Sequence, residues 1–150
     1  MAFTSNEYLP IAAGVIATIF TGFGINAMVN PQGGLTFFEL QYPSQATVKD
    51  REVLSKFKLA IDTLSVVYGI RDVFIGVAMY ATVLFGSKEA LGWICVAAGL
   101  TAGVDGAVCK FMVGKGEMNH WGYAPMVIGL GLLLLGAADG TALESFISMQ

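Results

Sequence analysis

A chain of 150 residues that is 55% hydrophobic and only 13% charged, with a mean hydropathy of +0.69, has too few polar side chains to cover a water-exposed surface of its size, which argues against a soluble globule. The formal net charge of −3 comes without a basic stripe, so nucleic acid is not an expected partner. No linker, charge run or low-complexity tract divides residues 1–150, which read as one domain.

The first predicted element is an uncharged run from Leu9 to Val29, preceded by the capping residues Ser5 and Asn6 and closed by Asn30-Pro31. No basic segment precedes it and no convincing cleavage site follows, so it is expected to remain in the mature protein. Residues 30–42, with Gly33-Gly34 and then Leu35, Phe37, Phe38, Leu40 and Tyr42, suit an interfacial or re-entrant loop that could also serve as a lid. Lys49 to Lys58 is charged and aqueous. A second apolar run, Leu59 to Phe85, is interrupted by Asp62, Arg71 and Asp72 and is long enough to tilt or project.

The short turn Gly86-Ser87-Lys88-Glu89 forces the third run, Ala90 to Val113, to lie antiparallel to the second; it contains Asp105 and ends near Lys110. After a polar loop, Trp121 to Ala138 forms the fourth, with a short amphipathic tail beyond Asp139-Gly140. The expected fold is therefore all-α, an integral membrane bundle of four transmembrane helices spanning about 9–29, 59–85, 90–113 and 121–138. Lys49, Arg51, Lys56, Lys58, Lys110 and Lys115 fall on one side and Lys88 on the other, so the six-base side is expected to be cytoplasmic. Both termini would then be lumenal, in a multi-pass protein expected in the endoplasmic reticulum.

Charges inside a span cost roughly 2.5–3.5 kcal/mol each on insertion scales, so Arg71, Asp72 and Asp105 need partners or water. Tyr68, Arg71, Asp72, Ile75 and Met79 recur at three- and four-residue spacing, with Ser65 beside them, and share a helix face. At 1.5 Å per residue Asp72 lies about 20 Å and Asp105 about 13 Å from the cytoplasmic ends of their spans, with Asp62 near that end. His120 opens the fourth span on the same side, where a helix N-terminus would favour the neutral imidazole; His120-Trp121 also fits a simple interfacial anchor. Gly14, Thr18, Gly22 and Asn26 form a small, polar stripe along which helices can approach, as can Gly99, Gly103, Gly106, Gly129 and Gly136. Asn26 is the member of that stripe that could touch a ligand. Lys110 and Asp139 read as span-end charges. Cys95 and Cys109, about 21 Å apart along one helix, cannot pair, and one histidine without a ligand pair at helical spacing offers no metal site.

The segment Tyr68-Gly69-Ile70-Arg71-Asp72-Val73-Phe74-Ile75-Gly76, followed by Asp105-Gly106 and His120-Trp121, resembles a family of small fungal four-helix membrane proteins classed as a domain of unknown function, over most of the chain. Members lie beside polyketide and terpenoid synthases, and some are assigned as epoxide hydrolases or cyclases. The resemblance implies a cofactor-independent enzyme of secondary-metabolite biosynthesis acting on a lipophilic polyketide epoxide. The residues permit that chemistry: an acid protonates the ring oxygen, a base activates water or a substrate hydroxyl, and two carboxylates bridged by an arginine can divide those tasks. Asp72, Asp105 and Arg71 would be catalytic, with Tyr68, His120, Asn26 and Asp62 around the substrate. No metal or organic cofactor is expected; the partners would be the substrate and membrane lipids, and a homo-oligomer stays open. A small proton-coupled transporter and a non-catalytic assembly subunit, in which the ion pair only fixes helix register, are the competing readings.

Overall fold

The structure, a computed structural model, describes residues 6–139; Ser5, Gly140 and the predicted tail lie outside them. Among the described residues the chain forms six α-helices: α1 (Tyr8–Val29), α2 (Pro31–Thr36), α3 (Arg51–Phe85), α4 (Lys88–Val108), α5 (Met118–Trp121) and α6 (Ala124–Leu134). Each start has a local cause. Asn6 Oδ1 accepts from the Tyr8 N–H ahead of α1, Asn30 Oδ1 accepts from Gly33 N ahead of α2, and Asp50 accepts from Glu52 N and Val53 N ahead of α3. Ser87 accepts from Ala90 N to start α4 directly after the turn, so α3 and α4 are antiparallel as the sequence requires.

The cap at Asp50 starts α3 eight residues before the apolar run begins. At 35 residues it is about 52 Å long, well beyond a hydrocarbon core of ~30 Å, so its charged first turns project.

The helices associate as two pairs, α1 with α3 and α4 with α6. Glycine sets both contacts. A Cβ on Gly24 would strike the Gly69 carbonyl, and one on Gly69 would strike the Gly24 carbonyl; Gly92 and Gly131 stand in the same reciprocal relation between α4 and α6. Without side chains at these points the backbones can touch. The predicted stripe Gly14, Thr18, Gly22 and Asn26 is not where the backbones touch: a Cβ on Gly14 or Gly22 meets nothing, and the same holds at Gly103 and Gly129, although the Thr18 hydroxyl bonds that of Tyr80 on α3. Instead Ala13, Ala17, Gly24 and Ala27 are buried, with Gly69, Gly76 and Met79 opposite. Four-residue spacing identified a ridge of small residues, but the neighbouring ridge, carrying alanines, gives a smoother apolar surface to pack.

Between the pairs, at the end where α3 turns into α4, lies an apolar core to which Leu9, Phe20, Met79, Leu91, Cys95 and Leu134 contribute. Cys95 and Cys109 are buried free thiols. The outer faces are equally apolar, with Ile11, Phe74, Leu84, Trp93 and Leu100 exposed. Tyr8–Val29, Arg51–Phe85 and Lys88–Val113 are each long and apolar enough to cross a membrane, and the chain is a membrane-associated helical protein.

The fourth predicted span departs from expectation. It is split at Gly122-Tyr123 into α5 and α6, and α6 holds 11 residues, about 16 Å, short of the ~20 residues that a hydrocarbon core requires. Pro125, in the first turn of α6, has no N–H to continue a helix from α5 but suits a new start. Gly136, at φ 85°, ends the segment near Leu134. At the other end of α4 the helix widens into a π turn, Cys109–Val113, closed by Gly114 at φ 84°. That turn places Lys110 on Glu117 at 2.6 Å.

Candidate functional site

The helical register of α3 puts Gly69, Asp72, Gly76 and Met79 on its buried face and Arg71 at the edge of that face. From there Arg71 reaches across to α4. Its Nη1 and Nη2 donate to the two oxygens of Asp105 at 3.1 and 2.8 Å, and its Nε and Nη2 donate to Asp72 Oδ1 at 3.1 and 3.0 Å. One guanidinium thus holds two carboxylates from different helices, using the forked geometry that arginine alone offers. Asp72 is 4% and Asp105 8% exposed, and the Arg71 side chain is about one-third exposed. Tyr68, one turn earlier, lies under the guanidinium, its ring centre 4.2 Å from Arg71 Cζ. Its hydroxyl points at Asp105 Oδ2 from 3.5 Å. Counting depth left the two aspartates about 7 Å apart; the length of Arg71 closes that difference.

The carboxylates differ in what they leave free. Asp105 receives Arg71 on both oxygens, whereas Asp72 receives it on Oδ1, and the Tyr68 hydroxyl lies near both carboxyl groups. Asp72 also lines a chamber of about 30 Å³ that Asn26, Tyr68 and Tyr123 share with Phe23 and Phe37. Such a volume is about one water's share of the liquid. Through Ala27, Gly34 and Tyr68 this chamber borders an apolar cleft of about 290 Å³, walled by Leu35, Phe38 and Leu40 on one side and Ile61, Leu64 and Ser65 on the other.

His120 is neither an exposed anchor nor at a mouth. It is 0% exposed, its ring enclosed by Phe38 at 4.8 Å, Phe37 at 5.7 Å and Tyr123 at 6.4 Å. Neither ring nitrogen has a hydrogen-bond partner among the described residues, an uncommon condition for a buried polar group. Trp121 turns the other way and donates Nε1–H to the Gly103 carbonyl at 3.0 Å.

Asp62 does not join the cluster. Tyr42 donates its hydroxyl to Asp62 Oδ1 at 2.8 Å, and Lys58 sits 5.5 Å from the Tyr42 ring centre. The bond to the carboxylate raises the pKa of the Tyr42 phenol. Asp62 therefore ties residues 37–42 down onto α3. The same segment is held from the other side by Asn119 Nδ2, which donates to the Phe37 carbonyl at 3.0 Å, and by Lys115 on Glu39 at 3.4 Å. The stretch read as a loop or lid contains α2 and then inserts Phe37 and Phe38 beside His120. Phe37 and Phe38 were read from sequence only as part of an interfacial loop, and Tyr123 was not singled out; the consecutive aromatics were the available signal for the cage. Among the described residues no three His, Cys, Asp or Glu side chains converge as metal ligands would.

A family model, Domain of unknown function (DUF4267), matches residues 17–134. The match takes in most of the chain and every residue from Asn26 to His120 described above, so the chain belongs to this family. No curated protein and no solved structure matches it.

Proposed function

We propose that this member of the DUF4267 family is a membrane enzyme that opens an epoxide in a lipophilic substrate by acid–base catalysis, as a hydrolase or a cyclase. The observation that carries the reading is Asp72: a buried carboxyl, clamped on one oxygen by Arg71, lining a polar chamber beside a large apolar cleft. A protonated Asp72 gives its proton to the epoxide oxygen as the carbon–oxygen bond breaks. Water, or a hydroxyl of the substrate, attacks the carbon and returns a proton to the Asp72 carboxylate, giving a diol or a cyclic ether with the enzyme regenerated. Asp105, held on both oxygens by Arg71, is the partner that keeps the guanidinium in place. The Tyr68 hydroxyl and the Asn26 amide border the chamber and orient the oxygens. His120, one layer out, contributes the rigidity of its aromatic cage.

The same reading includes four membrane crossings, with α5 and α6 supplying a short fourth, and the loops at residues 30–50 and 109–119 on the cytoplasmic face. Six of the basic residues belong to that face, Lys110 and Lys115 pairing there with Glu117 and Glu39. A membrane of the endoplasmic reticulum, both termini lumenal, a fungal source and a place in polyketide secondary metabolism belong to the proposal through the resemblance.

The test is incubation of detergent-purified protein with a lipophilic epoxide, followed by mass spectrometry for a product that gains one water or an isomer of unchanged mass. Product from the wild type and none from a folded Asp72→Asn variant supports the enzyme. Absence of product together with substrate flux in proteoliposomes replaces it with a transporter. Failure of Asp72→Asn, Asp105→Asn and Arg71→Ala all to fold makes the cluster structural.

A further inference from the structure

Three spaces follow one another along a single face of α1. Ile16, Ile19, Phe20 and Phe23, at three- and four-residue spacing, border a second apolar cleft of about 250 Å³ with Met126 and Val127 of α6. Phe23 and Tyr123 are common to this cleft and to the Asp72 chamber. Ala27, Gly34 and Tyr68 are common to the chamber and the first cleft. The order along the helix is thus apolar cleft, polar chamber, apolar cleft, and the rise from Ile16 to Ala27 alone is about 16 Å. Apart from Ser65 and the two tyrosines at the edges of the chamber, the side chains of both clefts carry only carbon and sulfur.

Two features restrict what can lie there. The chamber, at about 30 Å³, admits a group of one or two heavy atoms and excludes a phospholipid headgroup. Arg71 already donates to both Asp72 and Asp105, so an anionic group, such as a free fatty-acid carboxylate, finds no unengaged cation in the chamber to offset its desolvation.

We infer that the site takes a linear, neutral, apolar molecule whose reacting group lies in mid-chain, with one arm in each cleft and the polar group between Asp72 and Tyr68. This rests on the reading of Asp72 as the residue that meets the reacting group, and it names the substrate class of that same site. A molecule with its polar group at one end would leave one cleft without a chain and gain burial from one arm only. Ser65 and Ile19, one in each cleft, are then the positions at which arm length is measured.

The experiment reads binding, so that it does not depend on turnover. Two neutral linear epoxides of about twenty carbons, long enough at ~1.3 Å per carbon to span both clefts, carry the ring either in mid-chain or at one end, each with a photoreactive diazirine on a terminal carbon. They are compared with the parent alkane in lipid nanodiscs. The mid-chain isomer should bind roughly tenfold tighter than the terminal one. Its two chain ends should label residues 31–40 or 61–68 in one case and 16–23 or 123–127 in the other. Ser65→Phe and Ile19→Trp, each confirmed as folded by its thermal midpoint, should each weaken the mid-chain isomer roughly tenfold while leaving the terminal isomer with one usable cleft. Equal affinity for both isomers, labelling confined to one cleft, or equal binding of the alkane, which would mean bilayer chains only, overturns the inference. Preference for the mid-chain isomer without any opening of it would retain the two-armed site and remove the enzymatic reading. Opening of both isomers with equal affinity would do the reverse.

Discussion

At the end where α3 turns into α4, the helices meet through Met79, Leu91, Cys95 and Leu134, side chains of 2% exposure or less. Two helical turns back along α3, the same bundle meets through Arg71, Asp72 and Asp105, with Tyr68 and an unpartnered His120 alongside. The apolar end carries no buried charge, its Tyr80 hydroxyl is met by Thr18, and α4 and α6 touch there through Gly92 and Gly131, so its cohesion comes mainly from packing. The polar end holds two carboxyl groups that each need the one guanidinium, and it opens into a chamber and clefts. An ion cluster of this kind contributes little net stability against an apolar alternative of equal volume. Its presence at one end of a bundle that closes without it at the other supports the chemical role proposed for it.

The largest effect should come from taking Arg71 away. Arg71→Ala leaves two buried carboxyl groups without their cation and is expected to cost about 3–5 kcal/mol, read as a loss of monodisperse protein in size-exclusion chromatography. Adding Asp72→Asn and Asp105→Asn to that variant should restore folding without restoring activity. If it restores neither, charge is not what Arg71 balances.

Next come the glycine contacts. Gly76→Val, whose side chain would drive into Thr21 and the Ala17 carbonyl, should lower stability by about 1–3 kcal/mol, while Gly14→Ala and Gly22→Ala, facing open space, should stay within about 1 kcal/mol of wild type. Thermal unfolding of the three variants in one detergent gives the comparison. Tyr68→Phe should act in the opposite sense to Gly76→Val, reducing turnover about ten- to a hundredfold with little change in thermal midpoint.

His120 supplies a smaller effect. His120→Phe, which fills the same cage without two nitrogens that lack partners among the described residues, should leave the thermal midpoint equal or higher. The smallest effect belongs to Glu117, whose carboxyl is held below its usual range by the hydrogen bond from Lys110. Its contribution is present above the ordinary carboxylate value and fades as pH falls through the depressed one. Lys110→Gln should weaken that dependence in a pH series of thermal midpoints, leaving the part due to the backbone hydrogen bond.

Much of this contrast was legible in the amino-acid order. Long uncharged runs and a four-residue turn dictate the antiparallel helices, and membrane energetics alone single out Arg71, Asp72 and Asp105, because the cost of an intramembrane charge does not depend on the neighbours' identity. What escaped were properties of pairs. Which of two adjacent small-residue ridges on α1 brings its backbone against α3 depends on the partner surface, so close approach was expected along Gly14 to Asn26 when the neighbouring ridge makes it, Thr18 and Asn26 reaching α3 and the chamber only by their side chains. Asp62 was placed by depth near the cytoplasmic end and read as facing the substrate, but a partner twenty residues earlier, Tyr42, donates to it. The aromatic cage of His120 is built from a connection that has no helical period to read. The break at Gly122-Tyr123 follows from Pro125, which the hydropathy of residues 121–138 outweighed.

The central claim is that the apolar end holds the fold while Asp72 performs the chemistry, and the most direct measurement is paired turnover and thermal unfolding of Asp72→Asn in nanodiscs with a lipophilic epoxide. The account predicts a thermal midpoint within a few degrees of wild type and product formation reduced by at least about a hundredfold. Product at the wild-type rate from Asp72→Asn, or a fold lost together with the activity, would contradict it.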